Sequence, residues 1–258
     1  MSDVAANVLG TQVDADSEEA FLQAYDAGEF EHPSVTVDVA LLSAWEHQLF
    51  TLVIRRAEHP FRGCWALPGG FVGMQESLDE AAARVLRDKA GLEGVFLEQL
   101  YTFGDPQRDP RTRVITVAYY ALVDSARFRG VNVDEADRGV AVIDVPWEAE
   151  TGGPVEFADE QGGTLLTAFD HSAIVGMAVK RIRGKLNYTP VGFQLLPLEF
   201  TLRDLQVVHE TVRGHPVNKD SFRRRMLASG ELEATGRRQG DVGHRPAELY
   251  RFARRSAV

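Results

Sequence analysis

The stretch from Gly70 to Leu92, GFVGMQESLDEAAARVLRDKAGL, constrains the fold of this chain more tightly than any other. Ser77 followed three residues later by Glu80 is a capping box, in which side chains satisfy the first free amides of a helix. Gly91 closes that helix, because a left-handed residue ends helices and glycine takes that conformation without a Cβ clash. Leu78, Ala82 and Val85 form an apolar stripe at helical spacing, so the helix needs another element to cover it. Val85, Asp88 and Lys89 stand at i, i+3 and i+4 and project on one face. That face carries an aliphatic group, one carboxylate and one ammonium, and its formal charge is zero. The preceding CWALPGGFV reads as a strand running into a double-glycine turn.

Composition narrows where such a chain works. Its 258 residues can bury one large core or two modest ones, and 44% hydrophobic with 26% charged residues is ordinary for a globular protein. Cys64 stands alone, which excludes an internal disulfide and fits a reducing cytosol. No apolar run is long enough to span a bilayer, and the N-terminus lacks the basic-then-apolar pattern of a signal peptide. The expectation is a cytoplasmic protein with no membrane partner. The net charge of −10 is unevenly spread: residues 190–258 hold 12 Lys/Arg against 8 Asp/Glu, a balance of +4 on an otherwise acidic chain. Such asymmetry points to an anionic partner for the C-terminal segment alone.

Residues 1–32 are polar and acidic, contain EEAFLQAYDAGEF as a short helix, and read as an N-terminal extension. The domain expected over residues 33–168 begins with two β-rich runs, SVTVDVALLSA and HQLFTLVIRR, around a turn. After the helix of residues 77–90, VFLEQLYTF and RVITVAYYALV read as strands separated by the charged turn GDPQRDPRT. VAVIDVPW reads as the last strand, and EAETGGPVEFADEQGG as the most loop-like stretch. TLLTAFDHSAIVGMAVKRIRGKLNY reads as a helix capped by Asp170, with Ile174, Ala178, Ile182 and Leu186 as its buried stripe and Thr189-Pro190 as its end. Residues 169–189 thus form a connector to a domain over residues 190–258.

That last segment changes to short helices. Thr201 with Asp204 resembles a capping box and opens TLRDLQVVHETVRG, whose Leu202, Leu205, Val208 and Val212 face a core. Gly214 and Pro216 break it, and Asn218 caps a second helix, NKDSFRRRMLASG. Phe222 and Met226 lie on one face of this helix and Lys219 and Arg223 on another, with Arg224 and Arg225 beside them. Two helices joined by a glycine-containing turn make a helix-turn-helix, whose second helix enters a DNA major groove. ELEATG and AELYRFA then read as strands around a loop with Arg237, Arg238, His244 and Arg245, the wing of a winged helix placed against phosphate. Basic helices without nucleic acid are common, so the order helix, glycine turn, arginine-rich helix and basic hairpin carries this reading more than charge does.

Gly70, Glu76, Arg84, Leu86, Gly91 and Leu92 match the spacing of the Nudix box, a pyrophosphatase motif in which three glutamates stand at the positions of Val85, Asp88 and Lys89. Three glutamates would hold magnesium, a hard cation that takes oxygen ligands and bridges them to phosphates. A neutral face has little hold on a divalent ion, leaving Glu76 and Asp88 for weak magnesium at most. The whole chain after residue 32 resembles the Nudix-related transcriptional regulators of NAD metabolism, the NrtR family. PSVTVDVALL, WALPGGFV, the degenerate box, TFGDPQRDPRTRVITVAYYALV, KLNYTP, LLPLEFTLRDLQ, FRRRML and GHRPAELYRF carry the resemblance in order. It implies an α/β fold: a Nudix α/β/α sandwich with a mixed sheet, followed by a C-terminal winged helix-turn-helix domain. It also implies a homodimer on a palindromic DNA operator that represses genes of NAD biosynthesis or salvage, with ADP-ribose or a related metabolite as effector, no required cofactor and no catalytic residues.

Under this resemblance the effector contacts fall on Trp65, Pro68, Gly69, Gly70, Phe71 and Glu76 at the box, and on Phe103, Arg108, Asp109 and Arg113 around the charged turn. There an aromatic would stack adenine and arginines would pair with pyrophosphate. Arg55 and Arg56, ending the second strand, are weaker members of the set. Against these stand simpler roles. Gly69 and Gly70 also suit a strand-ending turn, Arg108 and Arg113 suit surface salt bridges, His171 suits capping or packing, and Arg84 suits a pairing with Asp88 or Glu80. Arg225 lies one step round its helix and could anchor the connector or a dimer. Two rival functions remain open: an active ADP-ribose pyrophosphatase, and a sugar-responsive regulator on the same scaffold.

Overall fold

The computed structural model describes residues 15–131, 137–186, 189–240 and 246–253. Residues 1–33 form one unit and residues 34–258 a second, compact one. In the first, α1 (Ala15–Ala24) is followed by a single 3-10 turn (Ala27–Glu29), capped by Asp26, whose carboxylate accepts the Gly28 amide. Phe21, Tyr25 and Phe30 lie ring to ring on this unit and are exposed.

The second unit is built on a mixed sheet. β1 (Ser34–Trp45) and β2 (Gln48–Arg55) form a hairpin, and β3 (Trp65–Ala66) and β4 (Gly69–Phe71) are short strands that pair with β2 and β1 respectively. The helix α2 (Leu78–Ala90) follows, then β5 (Phe96–Phe103), β6 (Val114–Leu122), a short α3 (Ser125–Arg129), β7 (Arg138–Asp144) and β8 (Glu156–Ala158). The main path runs β5-β6-β1-β2-β7-β8. β1 and β6 are parallel over nine pairs, Ser34↔Val114 to Leu42↔Leu122, and the other pairings are antiparallel.

Strand alternation splits the sheet into two apolar faces. Val37, Val39 and Leu41 of β1 pack with Phe50, Leu52, Val85, Leu86 and Phe128, beneath α2 and α3. Ala40 and Leu42 face the other way, toward α4 (His171–Lys185), where Ile174, Ala178, Ile182 and Leu186 make the buried stripe that their spacing predicts. Helices on both faces of the sheet give the α/β/α sandwich. Both ends of α2 are set locally: Ser77 and Glu80 form the reciprocal capping box, and Gly91 takes φ 65° with its amide on the Arg87 carbonyl.

Three expectations need correction. VAVIDVPW is not the last strand, because Glu156–Ala158, inside the stretch read as loop, adds to the free edge of β7. Thr164–Phe169 is not helical: Thr164 and Thr167 bridge to Ala158 and Trp65, and Phe169 takes φ 52° before the helix begins. Asp170 stands at the N-cap position but its carboxylate caps no amide, since it is bound to Arg108.

After a 3-10 segment (Pro190–Leu195) come α5 (Leu202–Arg213), α6 (Lys219–Ala228), β9 (Leu232–Arg238) and β10 (Glu248–Phe252), the helix-turn-helix and wing expected. Thr201 and Asp204 form the second capping box, Gly214 ends α5 at φ 75°, and Asn218 caps α6 by accepting the Ser221 amide. Between the helices Glu210 accepts from Gln206 and from the Val217 amide, which holds the turn.

His209 of α5 is buried, stands edge-on to Phe222 at 4.9 Å, and its Nδ1 has no hydrogen-bond partner among the described residues. Burial, aided by the charges of Arg213 and Arg225, pushes its pKa down from 6.5 to about 3. The unfolded chain therefore binds the proton more readily, so stability is full above about pH 6.5 and falls as pH drops from there toward 3. The loss approaches roughly 1.4 kcal/mol per pH unit. His209→Phe, similar in volume and unable to titrate, is expected to lose less Tm than the parent between about pH 7 and pH 5. Thermal melts at the two values check this, and equal losses would show that the imidazole does not set the acid limb.

Candidate effector site and nucleic-acid interface

The loop before α2 is closed by its own ions. Arg84 donates to Glu76 through Nε (2.9 Å) and Nη2 (2.6 Å), and also to the Phe71 carbonyl at 3.0 Å. The Gly73 amide donates to the same carboxylate at 2.7 Å. The Arg84 bond, then the Gly73 amide, hold the Glu76 carboxyl down at about 2. Arg84 thus pairs with Glu76, not with Asp88 or Glu80. Glu80 is taken up by Ser77, and Asp88 by Arg87 at 3.2 Å.

Val85 is 2% exposed and belongs to the core under the sheet, while Asp88 and Lys89 lie in solvent. One residue of that face is therefore core and two are surface. Magnesium in a Nudix site asks for several carboxylate oxygens on one face, and these residues do not fit it. Glu76 has its oxygens committed to Arg84 and Gly73, Val85 has none, and Lys89 repels a cation. Among the described residues no group of three His, Cys, Asp or Glu could hold a metal ion.

The strand-ending turn brings the backbone close to a carboxylate. A Cβ on Gly69 would collide with Asp38 Oδ1, whereas one on Gly70 would rest at 3.5 Å from the Val85 side chain. Pro68 is buried and its carbonyl accepts the Val39 amide. Asp38 is the one carboxylate on β1 and lies on the strand face turned toward α4.

Around Asp38 lies a buried polar cluster. Arg108, with its side chain 4% exposed, donates to Asp170 through Nε (2.9 Å) and Nη2 (2.7 Å) and lies 3.5 Å from Asp38. His171 accepts the Leu67 amide on Nδ1 and brings Nε2 to 3.7 Å from Asp38. Burial lowers the His171 pKa, which keeps the ring neutral and able to accept. Arg108 is neither a surface bridge nor an open ligand: it ties the charged turn to the start of α4.

The remaining effector candidates separate into groups. Asp109 is buried and holds Arg111 by Nε and Nη2 at 3.0 and 2.7 Å. Arg111 also stands over Phe71 and over Phe169, each at 6.0 Å, and Arg56 over Phe169 at 4.8 Å. Arg55 instead covers Trp65 at 6.0 Å, and Trp65 packs over Gly139 beside a broad groove with Trp45, Phe50 and Phe128. Arg113 donates to the Gly104 carbonyl at 2.7 Å, and Phe103, half-buried, meets Tyr101 edge-on. The structure thus gathers Arg56, Phe71, Arg108 and Asp109, and leaves Arg55 with Trp65 and Phe103 with Arg113 in separate places. It adds Asp38, Arg111, Phe169 and Asp170, which the sequence reading did not assign to the effector site.

On the winged module, Lys219, Arg223 and Arg224 are exposed on α6, while Arg225 folds back over Phe222 at 5.5 Å. Arg223 and Lys219 line a groove with Arg203 and Tyr250. On the wing Arg237 pairs with Glu199 at 2.9 Å and Arg238 donates to the Pro246 carbonyl at 3.3 Å. His244 and Arg245 lie outside the described residues.

A box helix on a mixed sheet, joined to a helix-turn-helix with a β wing, defines a Nudix domain coupled to a DNA-binding module. Residues 32–151 match the NUDIX domain model and residues 192–252 the model of the NrtR DNA-binding winged helix domain. A relative from Acinetobacter baylyi, the ADPR responsive transcriptional repressor NtrR, is 36% identical over 95% of this chain and 92% of its own length. The chain belongs to the NrtR family. The crystal structure of Shewanella oneidensis NrtR complexed with a 27mer DNA is 32% identical, with a TM-score of 0.68 over 84% of this chain and 93% of that one. An ADP-ribose pyrophosphatase from Methanocaldococcus jannaschii is 39% identical over 34% of this chain and 50% of its own length.

The Arg108–Asp170 pair yields a measurable expectation. Asp170→Asn keeps the shape and leaves the buried guanidinium with Asp38 alone, which should cost about 2 kcal/mol in urea unfolding. A loss below about 0.5 kcal/mol would mean that this buried bond contributes nothing beyond an exposed pair.

Proposed function

We propose that this chain is a transcriptional repressor whose hold on DNA responds to ADP-ribose or a closely related NAD metabolite. The observation that carries the reading is the similarity to the Acinetobacter baylyi repressor across 95% of the chain, because it spans effector domain and reader domain together. The likeness to the Shewanella oneidensis structure with DNA supports the placement of α6 in a major groove. The active species in this reading is a cytoplasmic homodimer on a palindromic operator of genes for NAD biosynthesis or salvage. An effector shifts it only by binding one arrangement of the reader modules better than the other.

The Nudix domain in this reading binds without hydrolysing. Its support is the chemistry of the box: Arg84 neutralises Glu76, and Val85, Asp88 and Lys89 supply one carboxylate where the motif has three. No step through a metal follows from such a donor set. The similarity to the Methanocaldococcus jannaschii pyrophosphatase favours the opposing reading, a working hydrolase. Incubation of the full chain with ADP-ribose and magnesium or manganese separates them. The expected outcome is no release of AMP above a blank, and turnover that collapsed in Glu76→Gln would establish the enzyme instead.

For DNA, Arg223→Ala and Arg224→Ala are expected each to weaken operator binding roughly tenfold or more, with ADP-ribose affinity unchanged. A mobility shift with a duplex from the gene's upstream region, repeated at rising salt, measures both effects. Each lost phosphate contact lowers the salt slope by roughly 0.9. Binding by both variants equal to the parent's would move the interface off this face of α6.

A further inference from the structure

We propose that the anion seat of the effector site is a clamp of two arginines, Arg56 and Arg111, set on the ring of Phe169, and that it takes the diphosphate of the effector. This inference rests on the effector reading above and names the residues that would hold the ligand's charge.

The two guanidiniums are each fixed and still open, and they share one ring, Phe169, whereas Arg55 lies over Trp65 and Arg113 on the Gly104 carbonyl. Arg56 is fixed through Nε, which donates to the Pro60 carbonyl at 2.7 Å, and neither terminal nitrogen has a partner among the described residues. Arg111 is fixed through Nε and Nη2 on Asp109, which leaves Nη1 without one. Both stand over the same ring, Arg56 at 4.8 Å and Arg111 at 6.0 Å from its centroid. Arg108, by contrast, has its fork filled by Asp170 and Asp38 and is closed to solvent. Arg84 is spent on Glu76.

Charge points the same way. The clamp holds two cations, and among the described residues only Arg111 is ion-paired, to Asp109. Burial and the neighbouring Arg111 both lower the Arg56 pKa, as expected for a cation held beside another with too little compensation. A diphosphate placed between them would relieve that repulsion and meet planar, preset donors. The platform is also conformationally forced. Phe61 and Phe169, which meet edge-on at 4.9 Å, take φ 62° and 52°, a left-handed backbone that costs a bulky residue on the order of 1 kcal/mol each. Phe61 and Phe71 are 39% and 53% exposed, so bare ring faces flank the cations where a base or sugar would lie.

The seat is also placed to report. Phe169 directly precedes Asp170, which Arg108 binds, and α4 begins at the next residue. An anion that draws Arg56 and Arg111 together over Phe169 therefore acts on the first turn of the helix that reaches the DNA-binding module.

The test is calorimetry on the full chain with ADP-ribose, and with inorganic pyrophosphate as the bare anion. Arg56→Gln and Arg111→Gln are each expected to weaken ADP-ribose binding roughly tenfold or more and to abolish pyrophosphate binding. Arg56→Lys and Arg111→Lys, which keep charge but lose the fork, should fall between. Arg87→Gln, on the exposed face of α2, should bind as the parent does. Operator binding without effector shows which variants are folded, and if a Gln form fails there its Lys form decides. If the parent binds ADP-ribose and the variants match it, the clamp is overturned and the effector reading stands. If the parent ignores ADP-ribose but binds pyrophosphate through these arginines, the clamp stands and the effector is another diphosphate. If the parent binds neither, both fall.

Discussion

The two-sided burial of α4 is the constraint on which the rest of the unit depends. Ile174, Ala178, Ile182 and Leu186 join a single apolar cluster that runs from Ala40 and Leu42 of the sheet, through Phe193 and Leu205, to Phe222, Met226 and Tyr250 of the reader module. The winged helix therefore has no separate core among the described residues. Each large aliphatic or aromatic side chain in that seam contributes roughly 1.5–3 kcal/mol of burial, so sheet and reader stabilise one another through the helix. Arg183 adds direction: it donates to the Val212 carbonyl at the end of α5 and to the Trp147 and Ala149 carbonyls beside the sheet. A helix held at both ends transmits displacement with little slack, which suits a device that must convert ligand occupancy into the placement of α6.

Much of this architecture was legible in the chain because its causes are local. The capping boxes at Ser77 and Thr201, the left-handed stops at Gly91 and Gly214, the cap at Asn218 and the apolar stripes of α2, α4 and α5 all follow from residues within a few positions of one another. The polar cluster did not, because its members have no periodicity. Asp38 and Asp170 both lie far from Arg108 in sequence, on opposite sides of it, and only the fold brings the three together. Asp170 carried a false local signal, since it stands where a cap belongs and has the right chemistry for one. A lone carboxylate inside SVTVDVALL was the available hint, for a charge in a buried strand needs a partner. The strand Glu156–Ala158 was invisible for a related reason: three residues have no pattern of their own and pair because an edge of β7 is free.

The arginines around the box show how poorly residue type alone predicts role. Arg84, Arg108, Arg111 and Arg56 lie within one region, yet the first two are consumed by carboxylates at short range and the last two keep nitrogens open. Burial explains Arg108, whose enclosed guanidinium must find anions within the fold, while Arg84 is paired at the surface because the loop before α2 folds Glu76 and the Phe71 carbonyl onto it. The charged turn points to Arg108 and Arg113 ahead of Arg56 and leaves Arg111 unmarked, because proximity to such a turn says nothing about which faces of a side chain are already taken.

Val85 also bears on how such a protein changes over generations. Its side chain lies in the dry seam under the sheet, against the surface of Gly70. A glutamate placed there alone would bring a longer, ionised group into methyl packing, beside a Lys89 ammonium that repels any cation it could hold. The first backward step is thus penalised by the fold itself, independent of any benefit further on.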